Sequence, residues 1–259
     1  MATLSVGSYT MEFEQTGSGP DLLLVHSLLT DMSVFEPLQA DLAARHRVTR
    51  VNLPGFGASS PVVCKGLAAL ADQLARGLKA LDLPDTTAVF GNGFGSFVVL
   101  EMAIRHPALF GALLVADTGA VFSEAGRAPF RGMAQAVSQK GVAAVLDTAI
   151  GRMLPPAFAE RHPEVVAERK RRLAAVDAAC FARACLALAE MDLRQALPGV
   201  HKRTLVMCGA LDLTTPPAMA REVAALIAGA RYEEIADSGH CPMLEQPQVL
   251  SRLINDFLG

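Results

Sequence analysis

The 259-residue sequence predicts a doubly wound α/β fold with a mostly parallel sheet and one helical insertion. Three observations carry this expectation. Short apolar runs alternate with amphipathic helical segments up to residue 117. Strand-like runs are missing between residues 118 and 199. The alternation resumes at residue 204 and continues to the end.

The elements follow in order. Ala2–Val6 and Tyr9–Thr16 flank Gly7-Ser8, a two-residue turn signal, and predict a hairpin. Asp21–His26 is a continuous apolar run suited to a strand covered on both faces. Val34–Ala44 has helical spacing. Val48–Leu53 reads as a strand that cannot run on through Pro54-Gly55-Phe56-Gly57. Leu67, Leu70, Leu74, Leu78 and Leu81 recur at intervals of three and four, predicting a helix over Gly66–Leu81. Thr86–Phe90 is the next strand, followed by a glycine-rich turn and a helix to about His106. Gly111–Ala116 is a strand again.

Residues 1–117 and 200–259 are therefore expected to form the core domain, and residues 118–199 a helical lid. Pro129, Gly141, Pro155-Pro156 and Pro163 are expected to break the lid helices. Thr204–Cys208 and Arg231–Ala236 are the last strands, and Pro247–Leu258 the last helix. Pro217 fits the first turn of the helix between those strands.

Composition narrows the function classes. Apolar residues make up 51% of the chain and charged residues 19%, enough for a sizeable core. A formal net charge of −3 argues against nucleic acid or an anionic membrane as partner. Mean hydropathy is +0.33, yet no run approaches the ~20 apolar residues of a membrane span. The N-terminal segment has neither a basic region nor an apolar stretch, so the expectation is no signal peptide and a cytoplasmic protein. Five cysteines at positions 64, 180, 185, 208 and 241 match no zinc or disulfide spacing and read as reduced, buried thiols. No metal site and no G-x-G-x-x-G dinucleotide fingerprint is visible, so no cofactor is expected. The expected partner is a small-molecule substrate, with a homodimer left open.

The informative segment is Val89-Phe90-Gly91-Asn92-Gly93-Phe94-Gly95: a strand end, a tight turn and a helix start. Four other segments accompany it: His26-Ser27-Leu28-Leu29, Asn52-Leu53-Pro54-Gly55-Phe56-Gly57-Ala58-Ser59, Gly209-Ala210-Leu211-Asp212 and Ser238-Gly239-His240. Together they resemble the α/β-hydrolase superfamily: the nucleophile elbow G-x-S-x-G, the His-Gly segment, the Asp-x-Pro-Gly-x-Gly-x-Ser loop, the triad acid and the triad histidine, in that superfamily's order. The Asn-x-Phe-Gly form of the elbow, with a helical cap, is most similar to carbon–carbon bond hydrolases of ring-cleavage products and to enol-lactonases.

The resemblance implies an eight-stranded, mostly parallel sheet with a cap inserted after strand 6. It implies His240 as base and Asp212 as its orienting acid, with Asp117 a weaker candidate for the acid. The N–H groups of Leu28 and Phe94 would form an oxyanion hole. Asn52 replaces an acid of the pattern, and Gly93 stands at the nucleophile's place. Ser27, Asn92, Met133 and Met153 are candidates for substrate contact. Phe122, Phe130, Phe158 and Phe181 are further candidate linings. The run Arg169-Lys170-Arg171-Arg172 reads as a solvated helix face. Ser27, Ser96, Cys208 and Cys241 are the other side chains near these segments that could attack, and none of them is favoured as a replacement nucleophile.

Glycine has no group to attack with, so three readings stand. The chain is a serine hydrolase disabled at its nucleophile, or a natural enzyme using His240 as base, or a silent small-ligand binder. The second covers water-dependent hydrolysis of an ester, lactone or carbon–carbon bond, and also lyase, isomerase or cofactor-free oxygenase chemistry. The retained His240 and Asp212 favour an enzyme acting on a small, largely apolar carbonyl compound.

Overall fold

A computed structural model describes residues 1–62 and 64–259. Eight strands form one sheet: β1 (Ala2–Val6), β2 (Tyr9–Thr16), β3 (Asp21–Val25), β4 (Arg47–Val51), β5 (Ala88–Asn92), β6 (Ala112–Ala116), β7 (Arg203–Gly209) and β8 (Arg231–Ile235). Their spatial order is β1-β2-β4-β3-β5-β6-β7-β8. The first two pairings in that order are antiparallel and all the rest parallel. This is the doubly wound sheet of the α/β-hydrolase fold. In such sheets ligands bind beyond the carboxyl ends of the parallel strands. Here those ends are Val25, Val51, Asn92, Ala116, Gly209 and Ile235.

Burial explains why these runs became strands. β5 and β6 are buried at every position and β3 at four of five, so both faces are covered. The helices are α1 (Gln39–Ala43), α2 (Gly66–Ala80), α3 (Phe94–Arg105), α4 (Glu124–Lys140), α5 (Leu146–Met153), α6 (Pro156–Arg161), α7 (Pro163–Ala174), α8 (Ala178–Glu190), α9 (Pro217–Leu226), α10 (Pro242–Glu245) and α11 (Pro247–Leu258). α2 packs on α3, and α9 reaches α3 through the turn Leu197–Gly199, while α1 packs on α11.

Several local readings are corrected. The strand expected from Thr86 begins at Ala88, because the Thr87 N–H and hydroxyl both bond back to Pro84 O, at 3.0 and 2.7 Å, and hold a turn there. The helix expected from Val34 is a 3₁₀ turn over Met32–Leu38 leading into α1, started by Asp31, whose carboxylate accepts the Ser33 N–H at 3.1 Å. Pro129 lies inside α4 without breaking it; Phe130, Met133, Ala134 and Val137 are buried along this helix, and packing against α8 outweighs the lost backbone bond.

The segment between β6 and β7 holds α4 to α8. At its base an antiparallel bridge joins Val121 to Asp192, and the Leu193 N–H bonds Ala120 O at 2.8 Å. The basic run of α7 is not wholly solvated. Arg169 is only 6% exposed, and with Arg172 it faces the buried Asp31 carboxylate after β3, at 3.4 and 3.0 Å. Burial pushes the Asp31 carboxyl up, but the Ser33 hydroxyl and the two guanidiniums hold it below the usual range. Only the outer residues of the run keep to the surface, Arg171 pairing with Glu168 and Lys170 with Asp147.

Asn52 also has a structural answer. Its amide donates to Glu12 Oε2 at 2.7 Å, and the same oxygen accepts the Ala58 N–H at 2.6 Å, so the acid of this loop comes from β2. Among the described residues no helix is long and apolar enough to cross a membrane.

Candidate active site

The turn between β5 and α3 is as sharp as the glycine spacing predicts. Gly93 has φ +51°, a left-handed conformation that strains any residue with a β-carbon. Its glycine neighbours are required by close approach. A β-carbon on Gly91 would stand 2.5 Å from Gly95 O, and one on Gly95 would stand 2.6 Å from His26 O and closer still to Val25 O.

Beyond β8, the loop to α10 carries His240, whose side chain is buried. Its Nδ1 lies 2.8 Å from Asp212 Oδ2, on the loop beyond β7. Asp212 also accepts the N–H groups of Thr214 and Thr215, at 2.7 and 3.1 Å, and the Thr215 hydroxyl at 2.7 Å. The carboxylate is acceptor only, so the imidazole Nδ1 is the donor and Nε2 is left facing the elbow. Nε2 stands 2.8 Å from the point a β-carbon of Gly93 would occupy. Burial would lower the His240 pKa, but the Asp212 carboxylate overrides it and raises it to about 9. Burial likewise pushes Asp212 up, and the imidazolium and the Thr215 groups bring it down to about 2.

Asp117 takes no part in that pair. Its Oδ2 accepts the Asn92 amide at 2.7 Å and its Oδ1 the Gly209 N–H at 2.9 Å. Burial, and next the Asp212 charge, push its carboxyl well above the usual range. Donor atoms of Asp117, Asp212 and His240 lie within 4.8 Å of one another, but His240 Nδ1 is already engaged with Asp212.

A narrow cavity of about 20 Å³, room for roughly one water, lies over Gly93. Ser27, Leu28, Phe94 and His240 form its floor; Phe97, Phe122, Phe130, Met133 and Leu188 line its apolar walls. Of the candidate contacts, Ser27 and Met133 face this space. Asn92 does not: it is fully buried, and its amide braces Asp117 and the His240 carbonyl, the latter at 3.3 Å. Met153 lies instead on an adjoining cleft with Leu154, Pro155, Leu211 and Leu213. Phe158 and Phe181 line neither space. The Phe94 N–H points at the Ser27 hydroxyl oxygen, 3.3 Å away, and the Leu28 N–H has no partner among the described residues.

His26 is a brace. Its Nε2 accepts the Leu53 N–H at 3.0 Å and its Nδ1 donates to Ser27 O at 2.7 Å, tying the β3 and β4 loops together. Ser96 donates to Gly93 O at 2.6 Å, inside the first turn of α3. Cys208 Sγ faces the carbonyls of Gly209 and Thr215, and burial pushes the Cys241 thiol well up.

One residue escaped the sequence reading. Arg152, at the end of α5, lines both the cavity and the adjoining cleft. Its guanidinium lies over the Phe130 ring, 5.7 Å from the centroid, and pairs with no carboxylate among the described residues. Only its isolation marks it, and isolation has no sequence signal.

The alpha/beta hydrolase family model matches residues 22–253. A 3-oxoadipate enol-lactonase of Acinetobacter baylyi is 29% identical over 255 residues, 97% of this chain and 94% of that protein. The pimeloyl-[acyl-carrier protein] methyl ester esterase of Aromatoleum aromaticum is 31% identical over 264 residues, 92% and 98% of the two chains. The crystal structure of the enol-lactonase from Burkholderia xenovorans LB400 superposes with a TM-score of 0.90 at 28% identity, covering 99% of both chains.

Proposed function

The chain belongs to the alpha/beta hydrolase family, and on that premise we propose that it hydrolyses a small ester or lactone, apolar along most of its length and anionic at one end, with residues 118–199 as the cap over the site. The observation that carries this reading is the aim of His240 Nε2, held by the Asp212 contact and directed at the elbow.

The chemistry follows from the side chains. With its Nδ1–H on Asp212, neutral His240 offers a lone pair at Nε2 and accepts the proton of whichever oxygen attacks the carbonyl. The Leu28 and Phe94 N–H groups lie on the cavity floor where the carbonyl oxygen would gain charge. The apolar walls lower the local polarity around the reacting carbonyl and so favour both effects. Arg152 meets the anionic end of the substrate. The enol-lactonase and methyl ester esterase relatives support carbonyl hydrolysis as the reaction class.

The test is a panel of aryl esters, enol esters and lactones, each with and without a carboxylate. His240→Ala is expected to abolish turnover. Undiminished turnover by that variant, or no product from the unmodified protein on any member of the panel, overturns the reading.

A further inference from the structure

We infer that the serine nucleophile of this site has moved across the cavity floor, from the elbow to Ser27. The inference rests on the hydrolase reading above. A β-carbon at Gly93 would stand 2.9 Å from Ser27 Cβ and closer still to Ser27 Oγ, so the hydroxyl of Ser27 fills the volume that an elbow serine would need. His240 Nε2 borders the same volume. Both atoms therefore lie around one point, although no direct hydrogen bond joins them before substrate binds; catalytic contacts of this kind tighten on binding. The Ser27 side chain is buried, and its oxygen accepts the Phe94 N–H while its proton has no acceptor among the described residues. A hydroxyl with a free proton thus shares this volume with an imidazole nitrogen that offers a lone pair when His240 is neutral.

The oxyanion hole survives the exchange. For a nucleophile at 93 the hole is the N–H of the next residue, Phe94, and that of Leu28 across the floor. For a nucleophile at 27 it is the N–H of the next residue, Leu28, and that of Phe94 across the floor. The same pair serves both. The backbone at 27 is fixed by four contacts: its carbonyl accepts from His26 Nδ1, from the Thr30 hydroxyl and from the Thr30 N–H, and its own N–H bonds Thr30 Oγ1.

The step balances as an acyl transfer. The Ser27 proton passes to His240 Nε2 while Oγ bonds the carbonyl carbon. The ester C–O bond then breaks, and the leaving oxygen takes the proton from His240. Water, deprotonated by His240, attacks the Ser27 ester, and Oγ leaves with that proton.

A fluorophosphonate probe tests this on the whole protein. Peptide mass mapping should place the adduct on Ser27. Ser27→Ala and Ser27→Gly should take up no label and lose turnover by on the order of a thousandfold or more, with circular dichroism and melting temperature near those of the parent. A label elsewhere, no label, or ester turnover undiminished in Ser27→Gly overturns the assignment. The last outcome leaves hydrolysis intact with water attacking directly, whereas total inactivity of the parent on the ester panel strikes the hydrolase reading instead.

Discussion

Ser27 and the β-carbon that Gly93 lacks compete for one position: the Cβ of Ser27 lies 2.9 Å from where the other would stand, and its Oγ is nearer. The two residues form a pair in which each permits the other. Serine at both positions requires the floor to shift, because rotation of Ser27 can move Oγ but not Cβ.

The first expected outcome follows from this exclusion. Gly93→Ser alone should lower the melting temperature and yield no gain in ester turnover, since the new side chain meets Ser27 and His240 Nε2 together. Gly93→Ser with Ser27→Gly should relieve the clash and return a serine to the elbow. Melting curves and aryl ester kinetics on both single variants and the double variant check this. A gain of turnover in Gly93→Ser alone would show that the floor yields more easily than its geometry implies.

Activity and stability should respond to pH in opposite directions. His240 must be neutral to act as base, and Asp212 raises its pKa to about 9. Turnover should therefore rise with pH through that value. The imidazolium–carboxylate pair stabilises the fold in full below the unfolded value of about 6.5, and that contribution is lost as pH rises through about 9. Asp212→Asn should move the turnover midpoint down, because burial then acts with less opposition, and should cost on the order of ten-thousandfold in rate. A midpoint unmoved by that substitution would mean that another group titrates.

His26 should set the acid limb of stability. Burial lowers its pKa to about 4, and protonation would place an N–H against the Leu53 N–H. Its neutral form stabilises the fold above about 6.5, and that stability is lost as pH falls through about 4. The loss amounts to about 3 kcal/mol. Asp212, Asp72 and Asp192 sit at about 2 and titrate below this window. Urea unfolding between pH 7 and 4 measures the slope, and His26→Asn should flatten it.

The Asp31–Arg169–Arg172 contact should bind the helices of residues 118–199 to the core. Asp31→Asn leaves the buried Arg169 guanidinium without its charge partner, at a cost of about 3 kcal/mol. Arg171→Ala, on the exposed side of the same helix, should cost almost nothing. Limited proteolysis would find the first variant cut within residues 118–199 and the second resistant. Equal behaviour of the two would remove Asp31 from this role.

The sequence carried most of the architecture because the sheet is built from runs apolar on both faces, and the elbow from glycines that close approach demands. The placement of Asp212 and His240 was legible for the same reason: each follows a strand that periodicity reveals. What was hidden depends on partners distant in sequence. Arg169 looks like its solvated neighbours until Asp31, on another loop, is seen to face it. Asn92 lies beside the elbow and invites a substrate role, yet its amide is taken by Asp117. Ser27 lies beside a catalytic loop in any reading, but its overlap with position 93 exists only once β3 and β5 are paired.

Arg152 offers the clearest test of substrate class. A guanidinium partly withdrawn from water, under the influence of the Asp212 charge but in direct contact with no carboxylate among the described residues, is free to meet an anionic group of a ligand. A charge-assisted hydrogen bond to a substrate carboxylate contributes about 2 kcal/mol, so Arg152→Met should raise KM for a carboxylate-bearing ester about thirtyfold with little change in kcat. A neutral ester of the same shape should be nearly indifferent to the change. Because Arg152 also depresses the His240 pKa, its removal should move the pH midpoint upward, and the comparison belongs on the plateau above it. Equal losses for charged and neutral esters would assign Arg152 to packing over Phe130 and leave the anionic end of the substrate without support.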